Sequence, residues 1–344
     1  SGLRTRLRGM PCDVLHNPGT DLLLASYARA RFCSDLIPIT CSQHGISYSV
    51  QLYGFFIPQL MAPIYPCDAI VCLSRSAAIA MEKRWESIAQ RYSYAWARPA
   101  PPLPRLEIIP WGVDTELFAP RDPMVARRDL GLPLDRPIIL CVGRIRIEDK
   151  MDYTPLLLVF EHVVRSAKER PLLVLAGSRY SDYADDIMAQ AAQLGFRNDV
   201  RAFFNLPPAC LPSLYAACDV FMSPTDSPSE CFGLTILEAM ACGRPVVASD
   251  WNGYKELIVH GETGFKVRTD WADCLGELEE MSLLVPMEQQ HLHVGQSVSV
   301  DVRQMAGFIG QLLNDPKLRW EMGSRARRRA QELYGWPAII EQWY

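Results

Sequence analysis

The stretch SPTDSPSECFGLTILEAMACG, residues 223–243, decides how this chain is read. A Ser/Pro-rich loop carries Glu230, passes through Phe232-Gly233 and enters a short helical segment that holds Glu238; Gly243 and Pro245 then stop it. The apolar segment Ala217–Met222 leads in and reads as a strand. The loop therefore lies where a strand hands over to a helix, at the carboxyl edge of a parallel sheet. Open α/β sheets bind their ligands at that edge.

The spacing of the glutamates carries the next step. Eight helical residues rise about 12 Å and turn about 80° past two full turns. On one helix the two carboxylates would not share a face, so Glu230 is expected to end the loop, with Glu238 two turns into the helix. Between them lie the backbone N–H groups of Phe232, Gly233, Leu234 and Thr235. The first amides of a helix have no helical acceptor, and the helix dipole favours an anion beside them. Gly233 lets a phosphate approach the backbone closely. A diphosphate flanked by two hydroxylated rings fits this layout: ribose on one side, hexose on the other, one carboxylate for each. Either glutamate alone would read as a solvated helix residue. The whole string favours a ligand.

Outward from this stretch, the 344 residues suffice for two domains. Apolar residues make up 49% and charged residues 22%, the balance of a globular chain. No apolar run is long enough for a bilayer, and no basic-then-apolar leader opens the sequence. Eleven cysteines are scattered through apolar segments without a Cys-x-x-Cys pair. That reads as buried thiols in a reducing, cytoplasmic compartment rather than a disulfide framework or a zinc site. The net charge of −4 is uneven: up to Pro110 there are 11 Lys+Arg against 7 Asp+Glu. This basic first part reads first as a solvated surface; it is also compatible with an anionic acceptor or with peripheral contact to the inner face of a membrane. No basic stripe with interleaved aromatics points to nucleic acid.

Strand-like segments alternate with helical periods throughout, which predicts βα units and parallel sheets. In the first part the strands are expected at Asp13–His16, Ile37–Cys41, Ala69–Ser74 and Arg105–Pro110. A helix over Ala77–Tyr92 should bury Met81, Trp85, Ile88 and Tyr92. Proline and turn signals make Trp111–Pro137 a hinge. Six strands follow: Pro137–Gly143, Pro171–Gly177, Val200–Phe204, Ala217–Met222, Pro245–Ser249 and Gly264–Val267. Two amphipathic helices, Val300–Leu313 and Pro316–Leu333, come last, the second with an exposed arginine face (Arg325, Arg327, Arg328, Arg329).

With these motifs the chain resembles the retaining GT-B glycosyltransferases of the family-4 type, also called glycosyl transferases group 1. The segments that carry the resemblance are IIPWGVDTELFAP (108–120), ILCVGRIRIEDK (139–150), the Glu230–Glu238 string, GRPVVASDWNGYKELIVHGETGF (243–265) and MGSRARRRAQELYGW (322–336). It implies an α/β fold of two Rossmann-like, doubly wound parallel-sheet lobes. The acceptor-side lobe would take residues 1–120, the nucleotide-sugar lobe 121–330, and 331–344 would begin a helix returning to the first lobe. The donor would be a UDP- or GDP-sugar, with no cofactor and no metal. Glu230 would bind hexose hydroxyls, the backbone of Gly233 to Thr235 the diphosphate, and Glu238 the ribose. Arg144 and Lys150, in the loop after Gly143, would neutralise the leaving diphosphate. His44 would face the sugar from the first lobe. The base would lie near Phe204, Asn205 and Leu206. The acceptor, whether glycan, lipid or small molecule, is left open. The family's glycine-rich loop near the start of the first lobe has no counterpart before Asp13–His16, so that lobe is expected to be incomplete and its activity weak.

Three other readings compete. A degenerate relative would hold nucleotide sugar without turnover. A nicotinamide dehydrogenase fails because Cys-Val-Gly-Arg-Ile-Arg offers one glycine where that fingerprint needs three. A GT-B epimerase or phosphorylase would need cleft bases or a cofactor lysine that the sequence does not place.

Overall fold

The computed structural model describes residues 13–33, 35–43, 45, 56–148, 150–274, 278 and 284–343. The chain divides into two compact units, Ser1–Pro110 and Trp111–Tyr344.

The first unit holds β1 (Leu15–Asn17), α1 (Leu23–Phe32), β2 (Ile39–Gln43), β3 (Ala69–Cys72), α2 (Arg75–Trp96) and β4 (Arg105–Ile108). Its four strands are parallel and lie in chain order, β1-β2-β3-β4. Helix α2 starts where the Ser74 hydroxyl accepts the Ala77 amide. It buries Met81, Trp85 and Ile88, as the sequence period predicts, while Tyr92 is half-buried against Trp96. Arg29 of α1 makes a two-pronged ion pair with buried Asp68, whose carboxylate also accepts the Ile39 and Tyr65 amides. A buried pair of this kind leaves no spare charge, which is the condition for its burial to be tolerated. His44 lies outside the described residues.

The second unit holds α3 (Pro123–Asp129), β5 (Ile138–Val142), α4 (Thr154–Ser166), β6 (Leu172–Gly177), α5 (Tyr183–Gln193), β7 (Val200–Phe204), α6 (Leu211–Ala217), β8 (Val220–Ser223), α7 (Leu234–Ala241), β9 (Val246–Ser249), α8 (Tyr254–Leu257) and β10 (Gly264–Val267). Then come β11 (Thr269–Trp271), α9 (Met287–Gln296), β12 (Val298–Val300), α10 (Val302–Asn314), α11 (Pro316–Tyr334) and α12 (Trp336–Ile340). All six expected strands form one parallel sheet in the order β10-β9-β8-β5-β6-β7. This is the doubly wound order, with its reversal between β5 and β8. The strands β5 (IILCV) and β8 (VFMS) are buried at every residue, as central parallel strands covered on both faces must be.

The boundary falls at Pro110/Trp111, ten residues earlier than the expected 120/121, and 111–137 is no hinge. The Val113 amide donates to Tyr334 O, and the Arg327 guanidinium takes Phe118 O and Thr115 O. Arg127 of α3 is buried on Asp219 and on Ala217 O. These bonds fix the segment to the second unit. Helix α12 clusters with that unit as well. The expected arginine face is also not free. Arg325 donates to Glu262 O, Arg329 to Leu257 O and Glu256 O, and only Arg328 is exposed. Arg327 also donates to Ala241 O at the end of α7, where a cation complements the helix dipole by about 0.3–1 kcal/mol. Among the described residues no helix is long and apolar enough to cross a membrane, and the described cysteines are free thiols.

Candidate functional site

At the reversal point, the loops leaving β5 and β8 share the carboxyl edge of the sheet, which is where doubly wound sheets as a class open a ligand crevice. The β5 loop carries Gly143, Arg144 and Lys150; the β8 loop carries Thr225 to Gly233. Their side chains meet. The Lys150 ammonium forms an ion pair with the Glu230 carboxylate, 80 residues away in sequence, and both are mostly buried (19% and 10% exposed). The Lys150 carbonyl accepts the Thr225 hydroxyl at 3.4 Å. Arg144 is exposed in the turn after Gly143, and its carbonyl accepts the Tyr153 hydroxyl at 3.3 Å. The structure therefore brings Gly143, Lys150 and Glu230 together around one crevice.

Glu230 has a second neighbour that the sequence reading missed. The Tyr254 hydroxyl lies 3.0 Å from Ser223 Oγ and donates to Glu230 Oε2 at 3.4 Å. Two glycines allow this. A Cβ on Gly253 would come within 2.5 Å of Cys231 O, and one on Gly233 within 2.6 Å of the Tyr254 ring. Gly233 also takes φ +109°, a conformation that side chains resist. Both positions admit only hydrogen, so the buried tyrosine can press against the loop. The signal in the sequence is Asn252-Gly253-Tyr254, a glycine beside an aromatic residue in a turn.

Helix α7 begins at Leu234 with Gly233 as its cap, and the Ile236 and Leu237 amides both donate to Gly233 O. The Leu234 and Thr235 amides come one and two residues earlier, where a helix offers no acceptor. Leu234 and Thr235 are half-buried. Phe232 differs from expectation. Its ring is buried, edge-on to Trp111 and tilted against Tyr334, which leaves its backbone as the part a ligand could meet.

Glu238 lies one turn into α7 rather than two, because the helix starts at Leu234. Its Oε2 accepts the Tyr215 hydroxyl at 2.7 Å. Burial pushes the carboxyl up to about 6, and the Tyr215 bond pulls the other way. One face of α7 thus presents a poised carboxylate, while the loop before it presents a paired one.

Asn205, expected near the base, has a scaffold role in these contacts. It takes φ +56°; its amide donates to Gly177 O, and its Oδ1 accepts the Arg179 amide. The β6 exit that it holds crowds the β5 exit, since a Cβ on Gly177 would lie 1.6 Å from Gly143 O. Asn205 so fixes the turn beside Gly143, at the same sheet edge as the crevice.

A second carboxylate that sequence reasoning missed is Asp226, buried beside the crevice. Its Oδ2 accepts the Asp152 amide at 3.2 Å. Burial pushes it up to about 7, against the Asp152 amide bond, which pulls the other way; the Asp152 charge adds a smaller rise. No group of three or more His, Cys, Asp or Glu residues placed to hold a metal occurs among the described residues.

Residues 125–282 match the family described as glycosyl transferases group 1. The D-inositol 3-phosphate glycosyltransferase of Segniliparus rotundus is 35% identical over 186 residues, which cover 54% of this chain and 40% of the relative. That of Mycobacteroides abscessus is 35% identical over 251 residues, 67% of this chain and 53% of the relative. The chain thus spans about half the length, or less, of these curated relatives. Among solved structures, Anabaena Alr3699/HepE in complex with UDP and glucose superposes with a TM-score of 0.68 at 19% identity, covering 96% of this chain and 76% of that one. Sucrose-phosphate synthase from Thermosynechococcus elongatus gives 0.62 at 22% identity, covering 96% and 72%. At these identities the likeness shows the fold, that of the GT-B glycosyltransferases with their parallel-sheet units.

Proposed function

We propose that this chain, which belongs to the group 1 glycosyl transferases, moves a hexose-type sugar from a UDP- or GDP-sugar to an acceptor hydroxyl, with retention and without a metal. The observation that carries the reading is the Lys150–Glu230 pair. In this reading Glu230 takes hexose hydroxyls and Lys150 takes the leaving phosphate. The group that meets the sugar and the group that meets the phosphate touch each other, so together they flank the bond that breaks. The Leu234 and Thr235 amides at the start of α7 hold the diphosphate. Glu238, whose Oε1 is left beside the Tyr215 bond, takes the ribose hydroxyls.

The chemistry follows from charge. Departure of a nucleoside diphosphate builds negative charge on phosphate oxygens. Preplaced cations at that point lower the barrier, and removing one such group from an active site typically costs about 10²–10³ in rate. Lys150 is held ready by Glu230, and Arg144, exposed in the turn after Gly143, supplies the second cation. Retention needs no protein nucleophile here: the leaving phosphate takes the acceptor proton on the face from which it departs. Cytoplasmic placement, with peripheral contact to a membrane through the basic first unit, suits free thiols and a glycan, lipid or small-molecule acceptor. In a second reading the chain holds nucleotide sugar without turnover.

Calorimetry with UDP, GDP and their hexose conjugates in EDTA tests the proposal. Binding of one nucleotide series supports it; no heat from any of them overturns it. Glycosyl transfer then separates the two readings.

A further inference from the structure

After β10 the chain does not pass straight into α10. Among the described residues, the excursion between them holds the antiparallel ribbon of β11 and β12, with Thr269 opposite Val300 and Trp271 opposite Val298, and helix α9. The Trp271 indole donates to Ser297 Oγ at 2.8 Å and packs edge-on against Trp251 at 5.3 Å. Helix α9 of the excursion reaches the β8 loop. His291, 3% exposed, places Nε2 3.3 Å from Ser227 Oγ. One turn on, a Cβ at Gly295 would lie 3.9 Å from Asp226 Oδ1, an ordinary contact.

Ser227 is the node that links this excursion to the sugar-side carboxylate. Its carbonyl accepts the Glu230 amide at 3.2 Å and the Trp251 indole at 2.8 Å. Its hydroxyl accepts the Ser229 amide at 3.2 Å. The Asn252 side chain holds the next carbonyl, that of Pro228, at 3.2 Å. The loop that presents Glu230 is therefore held from outside by Trp251 and Asn252, and through its hydroxyl by His291. The position of a carboxylate three residues beyond Ser227 follows from how that node is held.

We infer that helix α9, on the ribbon of β11 and β12, is a positioning element for the sugar end of the donor site, with His291 acting through Ser227 to keep Glu230 against Lys150. His291 and Ser227 are positioning residues; neither touches the reacting atoms. The inference rests on the reading that Glu230 meets the hexose. It predicts selectivity: losing the latch should loosen the grip on the sugar while the α7 end keeps its grip on the nucleotide.

The test compares the unaltered chain, His291→Ala and His291→Gln, the last retaining a hydrogen-bonding group near the position of Nε2. Each is first shown to be folded by thermal melting and then titrated with nucleoside diphosphate and with nucleotide hexose. The expected result is a roughly three- to tenfold loss for the nucleotide hexose in H291A, as for one hydrogen bond. Diphosphate binding should change less than about twofold, and H291Q should recover most of the loss. Amide exchange is measured on the same proteins without ligand. Exchange should rise in H291A over 226–231 and not over the β5 loop. Equal losses for both ligands, or no change in either ligand or in loop exchange, overturn the inference. If the unaltered chain binds no nucleotide sugar, the proposed function fails. The exchange result then still decides whether His291 holds the loop.

Discussion

The Lys150 ammonium and the Glu230 carboxylate pair across the crevice between the β5 and β8 loops, at the point where the strand order of the second unit reverses. Neither loop alone would bury its charge. Together they place a cation and an anion, each with capacity to spare for a ligand, within one crevice. Tyr254 and Ser223 fix the orientation of the anion from beneath.

The pair has a stability signature. Removing one partner of a largely buried pair leaves a charge without compensation and typically costs about 3–5 kcal/mol, while replacing both is far milder. Both groups keep some exposure, so values toward the lower end are expected here. Lys150→Met and Glu230→Gln should each lower the urea midpoint, and the double variant should be less destabilised than the sum of the two. Strict additivity would mean that the pair is not formed in solution.

Asp226 gives a pH dependence whose direction is fixed. Burial raises its pKa from 3.8 to about 7, so between those values the folded protein holds the proton more tightly than the unfolded chain. Stability therefore falls as pH climbs from about 4 to about 7. Asp226→Asn keeps an oxygen for the Asp152 amide and removes the charge. At pH 8 it should be more stable than the unaltered chain by up to about 4 kcal/mol, about three pKa units at about 1.4 kcal/mol each. The advantage should shrink toward pH 4. Denaturation curves at several pH values check this, and a gain that is equal at all pH values would contradict it.

Glu238 should make nucleotide affinity pH-dependent. Ribose hydroxyls donate best to an ionised carboxylate, and burial holds this one at about 6. Affinity for nucleoside diphosphate should rise as pH climbs through about 6 and level off above it. Phosphate titrates with a second pKa of about 6 as well, so Glu238→Gln supplies the baseline. A profile for the unaltered chain that parallels the Gln variant would mean that Glu238 does not meet the ligand.

The sheet of the second unit was legible because its strands are continuous apolar runs between turn signals, and such runs are what a doubly covered parallel sheet requires. The site was legible in part because Gly143, Glu230 and Gly233 fall at strand exits, where ligands collect. The Lys150–Glu230 contact itself was not, since it joins loops 80 residues apart. Tyr215 and Tyr254 were invisible for the same reason. The hinge reading of 111–137 failed because turn residues look alike whether free or held. What holds these, Arg127 on Asp219 and Arg327 on Phe118 O, is tertiary. The arginine face of α11 failed likewise, because its acceptors are backbone carbonyls that no side-chain pattern reports. Strands β11 and β12 have three residues each, too short for a period to show.

The central claim is that the two glutamates read opposite ends of one donor, and one titration series tests it most directly. Glu230→Ala and Glu238→Ala are each titrated with nucleoside diphosphate and with the corresponding nucleotide hexose. Glu238→Ala should weaken both ligands by roughly tenfold or more, as loss of a hydrogen bond to a charged group does at about 1.5–3 kcal/mol. Glu230→Ala should leave the diphosphate nearly unchanged and weaken only the nucleotide hexose. Equal losses for both ligands in both variants would contradict the account and make the glutamates struts of the loop instead.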